Sequence, residues 1–145
     1  MNTTPACVFA CLCLLSGPTQ GTGTVAVTVT ATGFRNGTGL CRLLVYAGSK
    51  GFPDSPDHAV VVSSGPINDK TARFTFMAMP GNYAISVLHD ENRNERLDKT
   101  WVGKPKEGIG VSNNPKIRFG PPSFQESLVK LDKDNDRVLI TIAYF

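Results

Sequence analysis

Cysteine is nearly absent from the body of this chain. Of four cysteines, Cys7, Cys11 and Cys13 fall close to the N-terminus and Cys41 stands alone. A disulfide framework in the main body is excluded, and so is a paired-cysteine zinc site. Cys41 sits in the apolar run Leu40-Cys41-Arg42-Leu43-Leu44-Val45-Tyr46 and reads as a small buried hydrophobe. Histidine occurs twice, as His58 and His89, and tryptophan once, as Trp101. No Gly-x-Ser-x-Gly elbow, His-Glu-x-x-His helix or phosphate loop is present, so those reaction classes lack their signature. No apolar run approaches the roughly 20 residues that span a bilayer. The net charge of +3 is spread without a basic run or stripe, which removes the electrostatic footprint of a nucleic-acid binder.

What is present begins with an uncharged leader. Residues 1–21 carry no charged side chain, and Ala6 to Leu15 forms a short apolar run. Ser16-Gly17-Pro18-Thr19-Gln20-Gly21 then supplies small and polar residues suited to cleavage. This pattern predicts a secretory signal peptide, cut between about Gly17 and Thr22, and a secreted or periplasmic destination. The leader lacks Lys and Arg, so a docked apolar N-terminus is the alternative. A lipoprotein is a further one, because Val8-Phe9-Ala10 precedes Cys11, although the apolar run before that cysteine is very short. Residues 22–145 have the length of a single domain, and a 41% hydrophobic content is enough for a core.

The body of the chain reads as short strands. Residues 24–31 alternate Val with Thr or Ala, the sign of a half-buried strand. Further strands are expected at 40–47, 59–63, 71–77, 82–89, 123–131 and 137–144. Turns are marked by Asn36-Gly37, by Pro53 and Pro56, by Met79-Pro80-Gly81 and by Asp132 to Asp136. About seven short strands and no sustained helical period predict an all-β, antiparallel sandwich. One long loop, residues 90–122, interrupts it. A connection of that length in a compact domain is unusual and often functional.

The loop opens on a patterned segment. Counted from Asp90, side-chain oxygens fall at positions 1, 3, 5 and 9: Asp90, Asn92, Asn94 and Asp98. Alternate oxygens of this kind wrap a hard cation in calcium loops, with a backbone carbonyl, here that of Arg96, at position 7. The cationic side chains Arg93, Arg96 and Lys99 fall where no side chain need face the ion. Two features depart from the pattern. Position 6 is Glu95 instead of Gly, and position 12 is Trp101 instead of a bidentate Glu. The candidate cofactor is therefore Ca2+. The competing expectation is that the same side chains merely cap turns. Asp132, Asp134 and Asp136 repeat the alternation in a short segment that reads as a solvated hairpin turn.

Three blocks carry a family resemblance. They are Gly81 to Asn94 followed by Leu97-Asp98, then Gly103 to Asn114, then Gly120-Pro121-Pro122-Ser123-Phe124. In this order they resemble the bacterial secreted proteins grouped as domain of unknown function family 2141. The resemblance implies export and a small transthyretin-like sandwich, and it implies no particular activity. The family's loop usually reads Asn-Gly where this chain has Asn94-Glu95, which bears on how the turn is made.

Two classes of function follow. The first is a non-enzymatic exported module that binds a protein, a glycan or a cell-envelope component through the ordered loop. The second is a small hydrolase-like enzyme using His89, Glu107 and the 103–114 loop. His89 ends one apolar face of strand 82–89, and Asp90 points to the other, so Asp90 is not positioned to orient it. A partly buried, bracing His89 is the competing reading, and for Glu107 it is a solvated loop charge. Trp101 and Tyr46 are candidates for a sugar- or peptide-binding face, although a lone Trp more often packs on the core.

Overall fold

The computed structural model describes residues 23–116 and 120–145. The expected leader, residues 1–21, lies outside the described residues. Eight strands form two sheets. In chain order they are β1 (Val25–Thr32), β2 (Leu40–Tyr46), β3 (Val61–Gly65), β4 (Thr71–Ala78), β5 (Gly81–Asp90), β6 (Ile109–Val111), β7 (Leu128–Leu131) and β8 (Arg137–Thr141). One sheet runs β4-β1-β8 and the other β3-β2-β5-β6, with β7 also paired to β5. Every pairing is antiparallel except β1 with β8. The all-β sandwich expected from the sequence is the fold observed.

The alternation in β1 places Val27, Val29 and Ala31 in the core, with Thr28 and Thr30 on the outer face. Opposite them stand Cys41, Leu43 and Val45 of β2 and Ile85 and Val87 of β5, closed by Ile140 and Leu131. Burial pushes the Cys41 thiol up to about 12, as expected for an inert hydrophobe. Strand β2 is apolar but for Arg42, and β5 is apolar from Tyr83 to Leu88 but for Ser86, because both their faces are covered. Their outer residues Leu44, Tyr46 and Leu88 meet Ile109, Phe52, Leu97 and Phe124 from the connecting segments.

Three differences from the sequence reading have physical causes. Strand β6 lies inside the supposed long loop and pairs Ile109, Gly110 and Val111 with Leu88, Val87 and Ser86. Its three residues, one of them Gly110, carry too little pattern to be read. Gly110 is required there, since a Cβ would lie 2.6 Å from the Thr141 carbonyl oxygen. Residues 123–127 form a turn instead of a strand, because the Ser123 hydroxyl accepts the Glu126 N–H (3.2 Å) and the Ser127 hydroxyl donates to the Ser123 carbonyl (2.9 Å). Residues 132–136 join two different sheets, so they are not a hairpin. The Asp132 carboxylate accepts N–H groups from Asp134 and Asn135 and pairs with Lys130, which holds its pKa down at about 2.

Candidate functional site

Strand β5 delivers His89 to the inner face and Asp90 to the outer one. His89 is fully buried. Its Nε2 lies 2.8 Å from the Thr38 carbonyl oxygen, which only accepts, so Nε2 carries the proton. Its Nδ1 then accepts from the Tyr144 hydroxyl at 2.7 Å, and that hydroxyl accepts the Arg35 backbone N–H at 3.0 Å. Phe34 packs edge-on against the ring. Gly39 makes the contact with Thr38 attainable: its φ is +78, and a Cβ would meet the Asp90 carbonyl oxygen at 2.1 Å. Both ring nitrogens are therefore spent on internal partners. His89 is thus buried and hydrogen-bonded, with its ring between the Thr38 turn and Tyr144.

Above the ring lies an ion pair with no signature in the sequence. Arg35 grips Glu91 with Nε on Oε1 at 2.7 Å and with Nη2 on Oε2, while Asn36 Nδ2 adds 3.0 Å to Oε1. The Arg35 bond holds the Glu91 carboxyl down at about 2. The guanidinium also lies 4.8 Å over the Tyr144 ring. Burial raises the Tyr144 pKa, so its hydroxyl stays a proton donor to His89. These contacts join residues more than fifty positions apart, which no local pattern reports.

Glu107 overturns the expectation of a solvated loop charge. It is buried, and its two oxygens accept the backbone N–H groups of Glu91 (2.9 Å) and Asp98 (3.1 Å). One carboxylate thus closes both ends of the 91–98 loop. Burial is sustained because charge-assisted bonds replace water. The neighbouring backbone completes the closure, with the His89 N–H on the Gly108 carbonyl (2.8 Å) and the Lys106 N–H on that of Asp98 (2.8 Å).

Inside the closed loop the patterned side chains do converge. Asp90 Oδ1 and Oδ2 accept the N–H groups of Asn94 (3.0 Å) and Glu95 (2.8 Å). The Oδ1 atoms of Asn92 and Asn94 accept the N–H groups of Asn94 (3.1 Å) and Arg96 (2.9 Å). Their amide groups donate to the two oxygens of Asp98, at 2.6 and 3.0 Å. Arg93 and Glu95 take left-handed φ values of 60 and 63. Glu95 therefore makes the turn that Gly would make at position 6, without glycine's ease. Arg42, the one charge inside the β2 run, is buried. It donates through Nη1 to the Glu95 carbonyl, and Glu95 Oε2 lies 3.5 Å away. A charge in an apolar run is a readable signal, and here it marks the strand face beneath the loop.

Two carboxylates and two amide oxygens around one loop suit a hard, oxygen-seeking cation. Among the described residues no group of three or more His, Cys, Asp or Glu side chains gathers at one point. An ion here would rest on Asp90, Asn92, Asn94, Asp98 and the Arg96 carbonyl, and would have to displace the amide contacts to Asp98.

Beyond the closure, residues 99–105 form a tight turn with Thr100 N–H on the Lys104 carbonyl (2.7 Å) and Gly103 N–H on the Thr100 carbonyl (2.9 Å). Trp101 is 97% exposed at its tip, so the expectation of a core-packed tryptophan is overturned. Tyr46, a candidate for the same binding face, is fully buried and donates to the Ser55 carbonyl at 3.0 Å. Beside the turn lies a cleft of 470 Å³ lined by Phe52, Leu97, Val102, Pro105, Ile109 and Phe145 among others. His58 is exposed.

A family model described as "Uncharacterized protein conserved in bacteria (DUF2141)" matches residues 29–138. No curated protein and no solved structure matches the chain. No helix among the described residues is long and apolar enough to cross a membrane.

Proposed function

Because the chain belongs to this bacterial family, whose description carries no activity, we propose from its geometry an exported, non-enzymatic binding or structural module with a calcium-stabilised loop. The observation that carries the reading is how His89 and Glu107 spend their polar atoms. A general base must reach a substrate proton or a water. His89 is sealed between Thr38 and Tyr144, and Glu107 between two backbone N–H groups. Glu107 thereby ties the 91–98 loop at both ends, while His89 ties the Thr38 turn to Tyr144 beside its base.

Support for the ion is the convergence of Asp90, Asn92, Asn94 and Asp98, with the Arg96 carbonyl at position 7. Calcium would add order to a segment that has few apolar anchors of its own. Export rests on the uncharged leader 1–21. The partner would be a protein, a glycan or a cell-envelope component.

Calcium titration of the chelator-stripped protein, with melts run in parallel, tests the reading. Saturable binding at micromolar to millimolar calcium, with a rise in melting temperature that Asp98→Ala abolishes, is the expected result. Absence of both would return the loop to a side-chain-capped turn. For export, N-terminal sequencing of the protein recovered outside the cytoplasm should begin between about Gly17 and Thr22. An intact Met1 in that fraction would refute cleavage.

A further inference from the structure

The 99–106 turn is built unlike the rest of the surface. Trp101 is almost fully exposed at its tip, and Val102 beside it is 63% exposed. Lys99, Lys104 and Lys106 are exposed around them, and Lys99 pairs with Asp54. The turn is not a loose excursion. Its backbone is paired across Thr100 and Lys104, the Lys104 N–H is bonded to the Thr100 hydroxyl at 3.1 Å, and its base is fastened through Asp98 to buried Glu107. A braced turn that holds two adjacent apolar side chains, Trp101 and Val102, in solvent with three exposed lysines in the same eight residues suits a partner that is apolar and anionic.

We propose that this tip seats in the surface of an anionic lipid bilayer, with Trp101 and Val102 entering the headgroup region and the lysines facing lipid phosphates. The proposal names the partner of the module described above and rests on its being exported to the envelope. Tryptophan favours the membrane interface because its ring is apolar with one polar edge. Lysine stems lie along apolar surface while their amines stay at the phosphates. Composition favours lipid over a glycan or a protein: residues 99–106 carry no carboxylate or amide side chain, only an exposed Trp, an exposed Val, Thr100 and three lysines, with Val102 and Lys104 at the edge of the apolar cleft.

Trp101 is the sole tryptophan of the chain, so its emission reports this tip alone. The experiment adds vesicles of phosphatidylcholine, or of equal parts phosphatidylcholine and phosphatidylglycerol, to the full chain, with calcium and with chelator. Emission is read together with co-sedimentation. With the anionic vesicles a blue shift is expected, reversed by high salt, and much weaker with phosphatidylcholine alone. Lys104→Gln and Lys106→Gln should each weaken binding roughly fivefold, about the effect of one basic residue near an anionic surface. Trp101→Ser, which touches no buried group, should melt like the parent and lose most of the binding.

Sedimentation without a shift in Trp101 emission would overturn the proposal, because the chain would then be held elsewhere, its apolar leader included. Equal shifts with both vesicle types would overturn the anionic surface, and no binding at all would overturn the whole. The chelator arm separates this idea from the calcium reading. A blue shift that persists in chelator upholds the lipid contact even if calcium does not bind.

Discussion

The base and the tip of the 89–107 segment are opposites. At the base, His89 and Glu107 look reactive by residue type and are buried, with their polar atoms on internal partners. At the tip, Trp101 looks like a core anchor by residue type and stands 97% exposed. Reactive residue types therefore mark the brace, and an apolar one marks the surface that is available for contact. Residue identity alone misassigns both; hydrogen-bond accounting and exposure assign them.

The comparison breaks most directly at Glu107. Glu107→Ala strands two partly buried N–H groups and should cost about 2–4 kcal/mol in chemical denaturation. Glu107→Gln keeps one acceptor oxygen and should cost about 1–2 kcal/mol, so it remains measurable if the alanine variant fails to fold. His89→Ala leaves a cavity, a Thr38 carbonyl without its donor and a Tyr144 hydroxyl without its acceptor, and about 2–4 kcal/mol of destabilisation is expected. A cost below about 0.5 kcal/mol at either residue would mean that the brace is not structural.

A smaller effect is expected at the ion pair over the base. The folded Glu91 carboxyl is held at about 2, below its ordinary value of 4.5. Its contribution is thus fully present above about pH 4.5 and is lost as pH falls toward 2. Since Arg35 is half exposed, solvent screening limits the effect to about 0.5–1 kcal/mol. Glu91→Gln should lower stability at neutral pH and flatten the acid limb between pH 4.5 and 2. An unchanged acid limb would show that other carboxylates set it.

At Glu95 the expected effect is of similar size, and favourable. Replacing a left-handed non-glycine residue relieves strain, at the loss of an exposed carboxylate near Arg42. Glu95→Gly should gain about 0.5–1 kcal/mol. A loss would show that the Arg42 pair outweighs the backbone strain. Trp101→Ser, at the tip, should stay within about 0.5 kcal/mol of the parent.

Much of the fold was legible because β1 and β4 alternate and because β2, apart from Arg42, and the middle of β5 are rich in apolar residues. The missing strand β6 was not, since Ile109-Gly110-Val111 is fixed by its neighbours β5 and β8 and not by its own pattern. In the site, the spacing of Asp90, Asn92, Asn94 and Asp98 was legible because the loop is local and its side chains bond within a few residues. The Arg35–Glu91 pair and the Tyr144–His89 bond were not, because they join distant positions. Arg42 offered a signal, a charge in an apolar strand, but nothing local tells which loop covers it.

The most direct test of the account is calcium calorimetry on the chelator-stripped protein, the parent beside Asp98→Ala. One saturable site in the parent, lost in the variant and matched by a calcium-dependent rise in melting temperature, is the predicted result. Identical heats and identical melts for the two proteins would contradict it, and would leave the 90–98 loop as a turn held only by its own side chains and by Glu107.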